Sequence, residues 1–217
     1  MPTENPTDLK HLQKWKELSV FEESAREAGY SRVCGIDEAG RGPLAGPVVA
    51  AAIIFPAGCF IPGLDDSKKL SAIQREYYYR QIVSTAVSIG IGIVEPDVID
   101  EINILNATIL AMETAVFNLS ILPDYLLIDA VKIPNPDIPK EALIHGDSRS
   151  YSIAGASVIA KVSRDRLMAG YHRQFPEYGF EKHKGYGTRD HLSALRSKGA
   201  SFIHRKSFRG VFSGPGV

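Results

Sequence analysis

The chain has only two cysteines, Cys34 and Cys59, no net charge, and no apolar run longer than residues 48–55. Two cysteines without paired spacing or a neighbouring histidine cluster give no sign of a disulfide and argue against a zinc site. Cys34 lies inside an apolar run, where a buried free thiol is expected. The longest apolar run falls far short of the roughly 18 residues that a membrane-spanning helix needs. The opening Met1-Pro2-Thr3-Glu4-Asn5-Pro6 shows no charged segment followed by an apolar one, so a cytoplasmic protein without membrane association is expected. Neither a G-x-G-x-x-G nor a Walker pattern occurs, which removes the common nucleotide-binding loops. Internal repeats and long low-complexity linkers are also lacking. At 217 residues and 44% hydrophobic composition, there is enough chain for a buried core.

The zero net charge conceals an asymmetry. Residues 161–217 hold twelve Lys/Arg against four Asp/Glu, and residues 1–160 hold thirteen against twenty-one, so the two parts carry about +8 and −8. A basic region beside an acidic one suits an enzyme that acts on a polyanion, because cations must hold phosphates that carboxylates would repel.

The acids are not scattered. Asp37 and Glu38 end the apolar run Val33-Cys34-Gly35-Ile36, Asp129 ends Tyr125-Leu126-Leu127-Ile128, and Asp147 follows Ala142-Leu143-Ile144-His145 after one glycine. Three strand-like runs thus deliver acids at or just beyond their C-terminal ends, where α/β sheets place their sites. Clustered carboxylates need a counter-charge to stay ionised, and oxygen donors favour magnesium or manganese over zinc. Directly after Glu38, Ala39-Gly40-Arg41-Gly42-Pro43 offers backbone N–H groups and a guanidinium to a phosphate or sugar.

With these runs the chain resembles the type 2 ribonucleases H (ribonuclease HII) of bacteria. The resemblance spans about residues 33–208 and rests on motifs in a fixed order. They are Gly35-Ile36-Asp37-Glu38-Ala39-Gly40-Arg41-Gly42-Pro43, Asp66-Ser67-Lys68-Lys69-Leu70, Asp129, Gly146-Asp147-Ser148, the run from Ala156 to Asp165, and Lys184-Gly185-Tyr186-Gly187-Thr188.

The resemblance implies an α/β, ribonuclease H-like fold, a mixed five-stranded sheet flanked by helices, with an N-terminal helix and a basic helical C-terminal region. It implies an endoribonuclease that cuts the RNA strand of RNA/DNA hybrids. It further implies incision 5′ of single ribonucleotides embedded in duplex DNA, leaving 5′-phosphate and 3′-hydroxyl ends, for primer removal and ribonucleotide excision repair. Asp37 would bridge two Mg2+ or Mn2+ ions, with Glu38, Asp129 and Asp147 completing the coordination. Gly40, Arg41, Gly42 and Tyr186 would read the ribonucleotide, whose 2′-hydroxyl distinguishes RNA from DNA. Lys68, Lys69 and Lys184 read as contacts to backbone phosphates. Asp165, between Arg164 and Arg166, reads as a structural ion pair, and His183, His191 and His204 as hydrogen-bonded surface residues outside the catalytic set. A ribonuclease H-fold DNA nuclease has no use for the Gly-Arg-Gly and Gly-Tyr-Gly pair, and a non-catalytic hybrid-binding module has none for four clustered acids.

Helical spacing predicts an amphipathic helix over residues 8–28, runs rich in Val and Ile predict strands over 33–38, 46–55 and 88–95, and the Ser71–Gln74 capping box opens a helix to about residue 84. Further helices are expected over 104–119, 152–174 and 189–198, the last capped by Thr188 and stopped by Gly199. The expected organisation is an N-terminal extension (1–30), a catalytic domain (31–175) and a basic C-terminal region (176–217). A monomer is expected, and the tail Ser213-Gly214-Pro215-Gly216-Val217 shows no clamp-binding pattern.

Overall fold

Alternation of side chains along two central strands sets the layers of this protein, seen here in a computed structural model that describes residues 6–134 and 138–211. Strand β1 (Val33–Ala39) and β2 (Val48–Ile54) form an antiparallel hairpin, with Ile36 opposite Ala52 and Asp37 opposite Ala51. Strand β3 (Ser88–Val94) adds antiparallel to β2, while β4 (Tyr125–Asp129) and β5 (Lys140–Leu143) add parallel on the other side of β1. The sheet order is β3-β2-β1-β4-β5, mixed and five-stranded.

Successive residues of a strand face opposite ways. Cys34, Ile36, Ala50, Ala52, Leu126 and Ile128 therefore pack on one helix, α4 (Pro96–Phe117). Ala51 and Ile53 pack on the opposite side against α5 (Tyr151–Gln174) and α3 (Ala72–Thr85). Three glycines let these helices approach. A Cβ at Gly35 would lie 2.2 Å from the Ser152 carbonyl carbon, and Cβ atoms at Gly90 and Gly92 would both lie 1.9 Å from carbonyl oxygens of α4. The first turns of α5, rich in small residues, are buried from Tyr151 through Ala160.

The predicted N-terminal helix is two: α1 (Pro6–Leu18) and α2 (Val20–Glu27), broken at Ser19. The break turns Glu22 inward. Its Oε1 accepts from Ser150 Oγ, Ser152 Oγ and the Ser152 N–H, so an acid 130 residues away in sequence caps α5 alongside the N-cap Ser150.

The helix predicted from residue 104 begins at Pro96 and kinks at Asn103, whose φ is 68°. There the Asn103 Oδ1 accepts from the N–H groups of Leu105 and Asn106, recapping the helix from within. Strand β5 stops at Leu143, two residues before the apolar run ends, because Ile144 is exposed and His145 takes a left-handed φ of 56°. The capping box of α3 and the Thr188 cap of α7 (Arg189–Lys198) form as predicted. The short helix α6 (Phe180–His183) has no periodic signal and was not predicted.

Beyond α5, the C-terminal region builds its own cluster from Tyr178, Phe180, Leu195, Ile203 and Val211. That cluster closes over Met168 of α5 and over Leu44 and Ala45 of the β1–β2 connection. Cys34 is buried and both cysteines are free thiols. No helix among the described residues is long and apolar enough to cross a membrane. The tail from Ser213 and the middle of the Pro-rich loop at Pro136 lie outside the described residues.

Candidate active site

Strand alternation that sends Ile36 and Ile128 toward α4 sends Asp37 and Asp129 toward α5. Gly35 pairs with Leu127 and Ile36 with Ile128, so one further step along the parallel pair sets Asp37 beside Asp129. Asp147 arrives from the neighbouring edge, on the 3-10 turn Gly146–Ser148 after β5. Ligand oxygens of Asp37, Asp129 and Asp147 all lie within 4.8 Å of one another. Glu38, on the next residue of β1, lines the same cleft but stands outside that group.

The support of these acids is local. Asp37 Oδ1 accepts the Glu38 N–H at 2.7 Å, and Ser157 of α5, whose Oγ lies 2.7 Å from Ser67 Oγ, stands close enough to Asp37 to favour its charged form. Asp129 Oδ1 accepts the Gly146 N–H at 2.6 Å, which ties the two acid-bearing turns together. Ala130, directly after Asp129, takes a φ of 49°. A non-glycine residue in that region costs on the order of 1–3 kcal/mol, and here the strained turn directs the chain away from the acid cluster.

Burial pushes the carboxyl of Asp37 well up from the usual carboxylate range, and the charges of Glu38 and Asp129 add to it. Asp129 is raised by burial and by Asp147, against the lowering effect of the Gly146 hydrogen bond. Glu38 is raised by burial and by Asp129, against Arg41. The Lys68 ammonium bonds Asp147 Oδ2; although burial opposes it, that bond and the charges of Asp147 and Asp37 raise the lysine. Lys68 therefore stands in the acid cluster, whereas Lys69 pairs with Asp65 at 3.1 Å and Lys184 lines an adjoining groove.

The donor set fits a hard divalent cation. All its atoms are carboxylate oxygens, their mutual repulsion calls for positive charge, and the buried Glu38 Oε2 has no hydrogen-bond partner. The cleft, of about 250 Å³, continues past these acids to Gly40, Arg41, Gly42 and Tyr186. A Cβ at Gly42 would lie 3.8 Å from Tyr186 Cε1, so the Gly-Arg-Gly and Gly-Tyr-Gly segments face each other across it. The Leu44 N–H donates to the Gly185 carbonyl at 2.8 Å and joins the two segments.

Two residues without any role in the sequence reading hold this arrangement. Arg164 and Arg205 are buried, and neither has a carboxylate within ion-pair distance among the described residues. Their guanidinium groups donate instead to backbone carbonyls. Arg164 reaches Pro47, Lys184 and Ala45, while Arg205 reaches Gly40, Arg41, Pro43 and Gly46. The carbonyls of Gly40 and Arg41 therefore point inward. In a trans peptide the following N–H points the opposite way, so the N–H groups of Arg41 and Gly42 turn away from Arg205. Asp165, as expected, pairs with Lys161 at 2.8 Å. His191 and His204 depart from expectation, since they are buried within the C-terminal cluster and not at the surface. The single-residue signals of Arg164, Arg205 and the histidines are those of any basic stretch, because their partners are remote in sequence.

A mixed sheet of this order carrying acids at the ends of β1 and β4 defines a phosphodiester hydrolase of the ribonuclease H-like fold. The profile of the family described as Ribonuclease HII matches residues 34–211. The chain belongs to the ribonuclease HII family and is a ribonuclease H that degrades RNA in RNA/DNA hybrids. Ribonucleases HII of Bacillus thuringiensis (strain Al Hakam) and of Bacillus anthracis are each 55% identical over 199 residues, covering 92% of this chain and 77% of theirs. Among solved structures, the ribonuclease H2 of Pyrococcus horikoshii OT3 superposes with a TM-score of 0.73 at 23% identity, covering 83% of this chain and 95% of that one. Bst-RNase HIII in complex with Mn2+ has a TM-score of 0.62 at 17% identity, over 87% of this chain and 70% of its own. These two likenesses show the shared fold.

Proposed function

We propose that Asp37, Glu38, Asp129 and Asp147 hold two Mg2+ or Mn2+ ions. On this reading the enzyme cleaves RNA/DNA hybrids and also incises 5′ of single ribonucleotides in duplex DNA, leaving 5′-phosphate and 3′-hydroxyl ends. The observation that carries the reading is the meeting of the carboxylate cluster with the Gly40–Gly42 segment and Tyr186 in one cleft. Ions so held supply activation of the attacking water and stabilisation of the leaving oxygen. Asp37, beside both Glu38 and Asp129, would be a ligand to both ions. The N–H groups of Arg41 and Gly42 and the Tyr186 hydroxyl offer donors to a ribose 2′-hydroxyl, which both gives and accepts. Lys68, Lys69 and Lys184 hold backbone phosphates without reading sequence, Lys68 from beside the acids. Residues 176–217 serve as the part of the substrate site that carries Tyr186. Free Cys34 and Cys59 are in keeping with a reducing cytoplasm.

The test is a labelled duplex carrying one ribonucleotide, incubated with and without magnesium, for the wild type and Asp129→Asn. Incision at the 5′ side of the ribonucleotide is expected with magnesium alone. Asp129→Asn should be folded, should bind the duplex, and should cut at least a hundredfold more slowly. Equal cutting by a folded Asp129→Asn would remove Asp129 from the metal site, and cutting only of long hybrids would remove the embedded-ribonucleotide activity.

A further inference from the structure

Tyr186 is 45% exposed, so its aim across the cleft is set by its backbone. Its N–H donates to the His183 carbonyl at 2.9 Å, and its carbonyl accepts from the Thr188 N–H at 2.8 Å. That carbonyl also lies 3.0 Å from Nδ1 of His191. Behind it the chain of contacts continues, with His191 Nε2 3.0 Å from His204 Nε2, and His204 Nδ1 2.9 Å from the Ser201 N–H.

Ser201 Oγ also lies 2.8 Å from His204 Nδ1, and with the Ser201 N–H directed at that nitrogen the hydroxyl is a second donor to it, so one arrangement of protons satisfies all these contacts. A ring nitrogen that accepts an amide N–H carries no proton itself, so the His204 proton is on Nε2. It is donated to His191 Nε2, which must be bare. The His191 proton is then on Nδ1 and goes to the Tyr186 carbonyl, an acceptor only. His183 is fixed in the same way. Its Nδ1 accepts the Gly185 N–H at 3.2 Å, its Nε2–H donates to the Tyr178 carbonyl at 2.7 Å, and its ring stacks on His191 at 4.5 Å. The rings of His191 and His204 are therefore neutral. Burial lowers His191, and burial with the neighbouring His191 pushes His204 down to about 4, in agreement with that assignment.

We propose that His204 and His191 are positioning residues that form a one-way hydrogen-bond chain from Ser201 to the Tyr186 carbonyl and so aim the tyrosine ring at the sugar in the cleft. This rests on the reading of Tyr186 given above. A packing role alone would need neither the single tautomers nor the direction of the chain.

Cleavage of a duplex with one ribonucleotide is measured in magnesium for His191→Leu, His191→Asn, Tyr186→Ala and the His191→Leu/Tyr186→Ala double variant. His191→Leu keeps apolar packing without the donor and should lose tenfold or more. His191→Asn places an amide N–H near the Nδ1 position and should recover most of that loss. In the Tyr186→Ala background, His191→Leu should add less than twofold. Equal loss in His191→Leu and His191→Asn, or full additivity with Tyr186→Ala, would overturn the chain. Wild-type activity in Tyr186→Ala would remove the Tyr186 reading and the proposal with it, whereas a loss there with none in His191→Leu removes the chain alone. Should His191→Leu not fold, nitrogen NMR of the wild-type imidazoles at pH 7 decides. Nδ1–H on His191 with Nε2–H on His204 supports the proposal, and any other tautomer or a charged ring overturns it.

Discussion

Asp37 sits where burial opposes its charge, with Glu38 and Asp129 beside it. Such a group weakens the fold it belongs to unless a cation is present, and its retention makes sense through chemistry and not stability. Asp37→Asn keeps the size and removes the charge. It should raise metal-free stability at pH 8 by about 1–2 kcal/mol while reducing cleavage at least as far as Asp129→Asn does. Thermal melting in EDTA alongside a cleavage assay checks both, and a lower melting temperature for the variant would contradict the electrostatic account. Gly35 shows the opposite demand at the same strand, for there the missing Cβ is what admits the backbone of α5 and brings Ser157 to Asp37.

The connection between β1 and β2 is an element shaped from outside itself. Its carbonyls are held by Arg164 of α5 and by Arg205 of the C-terminal segment, and Gly40 at φ 98° leaves room for the Arg164 side chain. Burial pulls the arginines down, Arg164 to about 10 and Arg205 to about 9, the latter also through repulsion by Arg164. Arg205→Lys keeps a charge but cannot match a fork of five donors, leaving buried carbonyls unpaired. A loss of about 2–4 kcal/mol in urea unfolding is expected, at 1–3 kcal/mol for each orphaned group with partial repair by the ammonium. Cleavage should fall together with it, because the loop N–H groups lose their direction. Unchanged cleavage by the folded variant would show that the loop keeps its shape without the clamp.

At the scale of the molecule, the acids share their cleft with cations from both parts of the chain, Arg41, Lys68 and Arg75 from the net-negative part and Lys161 and Arg164 from the basic one. Hybrid affinity should therefore fall steeply with salt and almost independently of base sequence. Replacing Lys182 and Lys184 together with Ala should reduce the log–log salt slope by about 2, near one phosphate for each lysine. An unchanged slope would place both lysines away from the nucleic acid.

Acid stability is a second property of the whole, since unfolding frees His191 and His204 together. Their protons bind more tightly in the unfolded chain, so stability from His204 is complete above pH 6.5, is lost as pH falls from there to about 4, and changes no further below. At about 1.4 kcal/mol per pH unit, the largest loss is about 3 kcal/mol. The raised carboxylates act with the opposite sign, which makes the comparison with His204→Gln necessary. That variant should show a flatter acid limb between pH 6.5 and 4 in thermal melting.

The parts of this protein legible in its sequence are those set by near neighbours. Apolar runs mark β1 to β4, the pairs Ser71–Gln74 and Thr188–Gly199 mark the helix caps, and the acids at or just past three of the runs, Asp37, Asp129 and Asp147, mark where the cluster forms. Asp37 and Asp129 share a face because alternation along a strand leaves no other outcome once their runs lie parallel and in register. The single helix expected over residues 8–28 breaks at Ser19, and the break serves Glu22, whose partners on α5 no local pattern could announce. The kink at Asn103, the early end of β5 and the buried histidines have the same origin. Sequence alone determined the strands, the caps and the carriers of the chemistry, since these follow from periodicity and residue type over a few positions. Only the tertiary structure decided that Arg164 and Arg205 clamp a loop more than a hundred residues away and that three histidines line up behind Tyr186. Buried polar groups must find partners wherever the fold places them, and that placement is not written in any short stretch of chain.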